Sequence, residues 1–441
     1  MVQVAVVGSG VAALMAVRTM CTSIKETGQP IKVTWFTARR KMGATQSALS
    51  KSPTVKLKAG DPYFDYGCQY MSPVSELFER ELERWKELGL ASDQFDVSVL
   101  DTQKTGDNTA NTGMNKLSTA GWVGNGGMGP MLEALTFQTR DEFADCGLEH
   151  VSGYPEVQQQ VVSIHRDENK KKWLLNTEKK TRQFGPYDYV IGGFSHPKRT
   201  DPFLKDGGEA TKPMMNFLQG VKYNQFFALQ VVLEKGLEDE SIKSLSACHV
   251  LNHDVLSFVA DNSRKPHQKK YTPKKNSSVT NKNKKPHITL ISTAQFAKKN
   301  QKCNRKIIQD KMLGSFGNLI LKKSLKSLRT EFQPKIHRLN YWQDGRCVNT
   351  IDGDKGCLFD SSVNLGWCGD FCVDPSVDGA AQSGVSVAKF CLEKIEYSML
   401  NGATKNDDQE RFTKSKWIES NNIATVDIGK FSHLRDSSNK Q

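Results

Sequence analysis

The spacing of apolar and polar positions marks the chain from its start. Val2, Gln3, Val4, Ala5, Val6 and Val7 have the length and β-branched content of a buried strand. Gly8-Ser9-Gly10-Val11-Ala12-Ala13 follows, and Leu14, Val17 and Met20 then recur at helical spacing. Ile31 to Phe36 reads as a second strand. Strand, glycine turn, helix and strand in this short space make a βαβ unit.

Further along, Leu77, Phe78, Leu82, Trp85 and Leu88 predict an amphipathic helix from Val74, with Gly89 placed to stop it. Thr102 to Thr112 is polar and turn-forming, so a surface loop is expected. Gly124 to Pro130 is a glycine-rich turn feeding a helix through Met131, Leu132, Leu135 and Phe137. Val161 to Ile164, Trp173 to Asn176 and Tyr187 to Ile191 predict a β-meander that returns to the main sheet at Gly192-Gly193. Phe226 to Leu233, Val255 to Ala260 and Ile288 to Thr293 then follow without clear helices between them, which suggests an antiparallel sheet. Leu365 to Cys368 returns as a short strand, Gly369-Asp370 opens a turn, and a long helix runs from about Asp378 to Met399. The expected fold class is α/β: a Rossmann-type domain with a second, antiparallel-sheet (α+β) domain.

Length supports two cores, since 441 residues exceed what one core holds, roughly 250 to 300. The longest apolar runs are strand-length, short of the ~20 residues of a membrane span. A strand beginning at Val2 leaves no space for a cleavable leader, so a cytoplasmic, non-membrane protein is expected. The ten cysteines lack a C-x-x-C pair and read as free thiols, and Cys368 and Cys372 have no further ligand beside them for zinc, so no metal is expected. The net charge is +13, which would suggest nucleic acid, but Arg264 to Lys285 carries nine cations and no acid. Without them the chain stands at +4. The charge therefore belongs to a Lys-, Asn- and Ser-rich insertion expected to be disordered over 262–286, which argues against a nucleic-acid partner.

Gly8, Gly10 and Ala13 form G-x-G-x-x-A between a strand and a helix. The first glycine permits the tight turn and the second lets backbone approach a pyrophosphate. The small third residue lets the helix pack close, with its positive end toward phosphates. The acid expected at the end of the second strand to bond an adenosine ribose is replaced by Thr37, and Arg39-Arg40 follow. Arginine there could meet a 2′-phosphate, which keeps NADP open, as does the reading of these arginines as solvated loop charges. Gly369-Asp370 and Asp378-Gly379-Ala380, ahead of Ser383-Gly384, form a second acid-and-helix-start pair. It suits the ribityl chain and the pyrimidine edge of a flavin, which NADP lacks, and so favours FAD.

In these motifs and their order, from Val2 to about Glu393, the chain resembles the renalase and flavin amine-oxidase-like flavoproteins. Phe64 to Tyr70 resembles the family's D-x-G-x-Q-Y segment near the flavin, which implies a cofactor contact by Gln69. The resemblance likewise implies adenine contact at Val161, and His337-Arg338 with Tyr341 resembles an H-R-x-x-Y. Gly43-Ala44-Thr45 stands where relatives carry G-G-R, so Gly43 is matched and the arginine is replaced by Thr45. The implied organisation is a discontinuous FAD-binding domain (1–75, 110–200 and 335–400), a substrate domain (76–109 and 201–334) and a polar tail (401–441). The implied function is hydride transfer from a small reduced substrate, a dihydronicotinamide-type nucleotide or an amine, to FAD with oxygen as acceptor. Gln69, Tyr70 and Tyr341 are candidates for the wall facing the ring, and no catalytic acid or base is named. The alternative is a flavin-poor or NADP-binding relative acting as a non-catalytic binding protein.

Overall fold

The apolar run at the amino terminus becomes the strand β1 (Val2–Val7), the helix α1 (Val11–Thr27) and the strand β2 (Ile31–Thr37), and β1 and β2 pair in parallel from Val2↔Ile31 to Val7↔Phe36. α1 ends at Gly28, whose left-handed φ of 67° lets its N–H return to the Ile24 carbonyl. This computed structural model describes residues 1–37, 63–102, 114–116, 121–152, 160–177, 182–194, 197–236, 238–266, 285–352, 355–401 and 416–419. The expected loop at 102–112 lies outside them beyond Thr102, as do Arg39, Arg40, Gly43 and Thr45.

The chain divides into two compact units. The first comprises Met1–Gly43, Leu132–Tyr223 and Cys347–Asn421. Its six-stranded sheet runs in the order Leu358–Asp360, Leu365–Trp367, Tyr189–Gly192, β1, β2, Leu148–Ser152, parallel throughout except for the antiparallel edge pair of the first two strands. The predicted meander is an antiparallel three-stranded sheet of Val161–Asp167, Lys172–Thr177 and Gln183–Tyr187. Phe203, Leu204, Met214 and Leu218 are buried with Ile164, Trp173 and Val190 in one core cluster, which explains why residues 201–223 belong with this unit rather than with the second sheet. In the tail, Lys416–Glu419 pairs with Asn349–Asp352, with Trp417 opposite Ile351.

The second unit comprises Ala44–Met131, Asn224–Arg346 and Asn422–Gln441. Its seven-stranded sheet is ordered Pro334–Cys347, Tyr223–Leu233, His287–Ser292, Leu256–Asp261, Ala247–Leu251, Val97–Asp101, Met114–Lys116. Ala247–Leu251 pairs with Val97–Asp101 in parallel, and the central pairs are antiparallel. Strand alternation splits its residues between two faces. Phe227, Leu229, Val231, Ile288 and Leu290 pack with Phe296, Ile308, Met312 and Phe316 from the helices Ala294–Asn300 and Arg305–Phe316. Phe258, Ala260 and Ile291 pack instead with Tyr70, Phe95, Val97 and Val123, with Phe226 against them.

One expectation is corrected at its edges. Asn262 and Ser263, inside the span expected to be disordered, are buried in a short 3-10 turn, and Lys265 is 2% exposed. Pro286, at the far end, accepts a hydrogen bond from the Leu233 N–H. Lys265 Nζ pairs with Asp65 Oδ2 at 2.7 Å, and Asp65 is itself fully buried. Asp65 Oδ1 accepts the Tyr63 hydroxyl and, at 3.0 Å, the Met128 N–H. Composition argued for solvation, yet Lys265, the second cation of the segment, is held inside by the Asp65 carboxylate. Residues 267–284 lie outside the described residues.

Lys265→Met would leave the Asp65 carboxylate buried without its counter-charge, a loss of about 3–5 kcal/mol. Urea unfolding should therefore show the variant strongly destabilised, and deletion of 264–285 should resemble it, whereas deletion of 267–284 alone should spare the pair. Equal stability of the two deletions would show that Lys265 is not required.

Candidate functional site

The carboxyl ends of the parallel strands carry the predicted glycine turn. Gly8 N–H donates to the Phe36 carbonyl at 2.9 Å and the Trp35 indole N–H donates to the Gly8 carbonyl at 2.9 Å, so β2 holds the turn from both sides. A Cβ on Gly8 would lie 2.9 Å from Ala13 Cβ and 2.9 Å from the Gly193 carbonyl oxygen. One on Gly193 would lie 2.7 Å from Ala13 Cβ, and one on Gly384 would run into the Ala12 carbonyl. Three segments distant in sequence thus close around the first turn of α1 by backbone contact.

Gly10 differs from these. It is the N-cap of α1 with φ −96° and ψ 176°, no side chain caps the helix there, and a Cβ placed on it meets nothing within 4 Å. The first-turn N–H groups have no intrahelical acceptor and carry the positive end of the helix dipole. This is the cradle that a pyrophosphate requires, so the residues present fit a dinucleotide.

The second predicted constellation lies in the same unit. Cys368 N–H donates to the Gly192 carbonyl at 2.9 Å, and Gly369 N–H donates to the buried Ser383 Oγ at 3.0 Å, tying this turn to the helix Val377–Asn401. Asp370 is half-buried and its Oδ1 accepts the Phe371 N–H at 3.0 Å. Asp378 is buried and accepts Gln382 Nε2 at 2.9 Å. Gly379 and Ala380 occupy the first turn, but the Gly379 N–H donates to Ser376 Oγ at 2.9 Å, and a Cβ there would strike the Asp374 backbone. The need for glycine at 379 is therefore met by the local chain. Val161 opens the first strand of the meander, half-buried against the core of this unit.

Thr37 ends β2 as predicted, and its hydroxyl lies 3.0 Å from His150 Nε2. Sequence reading missed His150, because the pairing of β2 with Leu148–Ser152 spans more than a hundred residues. Burial, with Arg140 nearby, pushes the imidazole down to about 4. The end of β2 is thus a hydroxyl beside a neutral ring at neutral pH.

Gln69, Tyr70 and Tyr341 all belong to the second unit. Gln69 Nε2 donates to the carbonyls of Asp65 at 2.8 Å and Gly67 at 3.1 Å, and its Oε1 faces Lys265 Nζ at 3.4 Å. The Tyr70 hydroxyl sits 2.8 Å from His249 Nε2, and the Tyr341 hydroxyl donates to Gln225. Among the described residues no cluster suits a metal ion, and no helix is long and apolar enough to cross a membrane. All ten cysteines are free.

No protein-family model and no curated protein matches the sequence. Solved structures do. An oxidoreductase from Methanosarcina mazei superposes with a TM-score of 0.55 at 12% identity, covering 89% of this chain and 100% of that one. Cyclohexylamine oxidase from Brevibacterium oxydans gives 0.53 at 10% identity, covering 90% and 99%. A reduced UDP-galactopyranose mutase gives 0.54 at 9% identity, covering 91% and 96%. The fold is the one these three structures share. At these identities the likeness concerns the fold.

His150 provides a test of the strand end. Its folded pKa lies below the ordinary 6.5, so the unfolded chain binds the proton more readily. Its contribution to stability is complete above 6.5 and is lost as the pH falls toward about 4. Melting temperatures across that window should fall less steeply in His150→Gln than in the wild type, and parallel curves would show that the imidazole is not buried neutral.

Proposed function

We propose that this chain is an FAD-dependent oxidoreductase acting on a small reduced substrate, of the dihydronicotinamide or amine type, with oxygen as acceptor. The observation that supports it best is Gly10: of the glycines around the start of α1, it is the one whose side-chain position opens into space. Gly8, Gly10 and the first-turn N–H groups would hold the pyrophosphate. Thr37 and the neutral His150 would face the adenosine ribose in place of a carboxylate, and Val161 the adenine. Gly369 and Asp370 would take the ribityl chain, and the helix start at Asp378-Gly379-Ala380 the pyrimidine edge. When bound, FAD supplies a two-electron acceptor, so that substrate loses hydride and dioxygen finally takes the electron pair and two protons as hydrogen peroxide. The part of the protein is to bind, orient and shield these groups. A soluble protein without a membrane or nucleic-acid partner fits the same reading.

The experiment separates folding from binding. Gly10→Asp places a favoured N-cap residue at an unstrained position with space around it, so the melting temperature should hold or rise. Its carboxylate would meet the phosphates, and FAD retention after reconstitution, read by flavin absorbance, should fall by about tenfold or more. Gly8→Ala should instead destabilise the fold, since its Cβ collides with Ala13 and Gly193. Absence of flavin from the reconstituted wild type, or undiminished retention in Gly10→Asp, would refute the proposal and leave a non-catalytic binding protein as the reading.

A further inference from the structure

The excess charge of the chain comes from two segments. Residues 264–285 hold nine cations and no acid, residues 294–332 hold ten cations and two acids, and the remainder is net negative. With the excess assigned to the first segment alone, composition argues against a nucleic-acid partner. The second segment is folded, which removes that ground, and the oxidoreductase reading neither requires nor forbids such a partner.

Residues 294–332 form the helices Ala294–Asn300 and Arg305–Phe316 and the turns after them, packed on one face of the second unit's sheet. Phe296, Ile308, Met312, Phe316, Leu328 and Phe332 turn into that core, which leaves the cations outside. Lys298, Lys299, Lys302, Arg305, Lys306 and Lys311 are exposed. So are Lys322, Lys326 and Arg329, against Glu331 as the one exposed acid of the layer. Both acids are already paired, Glu331 with Lys323 at 2.8 Å and Asp310 with Arg329. Among the described residues no carboxylate pairs with Lys298, Lys299, Lys302, Lys306, Lys322 or Lys326. Lys311 Nζ lies 3.4 Å from Asn300 Oδ1 and 5.9 Å from the Phe296 ring centroid, and Asp310 reaches Arg329, so helices and turn form one continuous surface. Like charges gathered this way concentrate anions at the face that carries them.

The other side chains decide the class of anion. All three phenylalanines of the layer are buried, and Ile307 is its one exposed large apolar residue. A membrane would find a single apolar side chain to take up, and a single-stranded nucleic acid no ring for its bases to stack on. Gln295, Gln301, Asn304, Asn318, Ser324 and Thr330 are exposed among the cations, and such amides and hydroxyls join Lys and Arg at phosphate oxygens. The surface also has relief: a groove of about 580 Å³ is lined by Lys299 and Lys311, with Asp254 and the Arg329-paired Asp310. We propose that this helical layer binds the sugar–phosphate backbone of a nucleic-acid duplex. It does so without reading the sequence, because its cations meet phosphates rather than base edges.

The test titrates the full chain into a short, fluorescently labelled DNA duplex of arbitrary sequence and reads anisotropy. Between about 50 and 200 mM salt the affinity should fall by roughly a thousandfold, as contact with about six phosphates requires. Lys298→Gln, Lys299→Gln, Lys302→Gln and Lys306→Gln combined should weaken binding at low salt by about a hundredfold and reduce the salt slope by about 4. Melting temperature and FAD retention should not change, since all four side chains are exposed. Should the combined variant melt lower, Lys302→Gln and Lys306→Gln singly make the same comparison, each reducing the slope by about 1. Deletion of 267–284 should leave a salt-dependent affinity that these substitutions still lower. Salt-independent or absent duplex binding, an unchanged slope in the variants, or loss of binding on the deletion alone would each overturn the proposal. Tighter binding to phosphatidylserine vesicles, or to a single strand of the same length, would overturn it too. None of these outcomes bears on the flavin reading.

Discussion

The first turn of α1 is held by contacts that no side chain could make. Gly8 precedes it, Gly193 comes from the strand Tyr189–Gly192 and its turn, and Gly384 comes from the helix near the carboxyl terminus. All three press on Ala12 or Ala13. Because each contact is between backbone or Cβ atoms, there is no rotamer through which an added methyl could escape. The order of the sheet follows from the same constraint: β1 must lie between β2 and Tyr189–Gly192 for Trp35 and Gly193 to reach the turn. Once the turn is fixed, the orientation of the helix start is fixed with it, and Gly10 is left facing outward.

Much of this was legible in the sequence because it is local. The strand, turn and helix at Val2 to Met20 are a continuous pattern, and the length and spacing of the later runs at Phe226 to Leu233 and Asp378 to Met399 sufficed for strand and helix respectively. What stayed hidden depends on pairing between distant residues. His150 acquires its meaning only when Leu148–Ser152 lies beside β2. Lys265 looks like the neighbouring lysines in composition, yet it is drawn inside, by a carboxylate two hundred residues away. The helices at Ala294–Asn300 and Arg305–Phe316 were missed because their lysines and arginines break up the apolar stripe, although Phe296, Ile308, Met312 and Phe316 still reach the core.

The candidate site was legible to a different degree in its parts. For Gly8 and Gly10 the motif states both the residue and its reason, and the geometry distinguishes the two reasons: one glycine is closed in by Ala13 and Gly193 and the other is open. At Gly379 the sequence suggested approach of a ligand, but the local chain already accounts for the glycine through Ser376 and Asp374. A glycine at a helix start has several causes, and only its neighbours tell them apart.

The second unit shows what polarity inside an apolar sheet can mean. A charge as costly to bury as Asp65 is tolerated when a cation, a hydroxyl and a backbone N–H converge on it, and such a network makes the surrounding loop and the Met128 helix start interdependent. Gln230, also fully buried, has no such set: neither end of its amide is hydrogen-bonded, although its register partner Thr289 is bonded to Asn262. The two sites lie in one unit, and Thr289 and Asn262 link them, so the difference is not one of general packing quality.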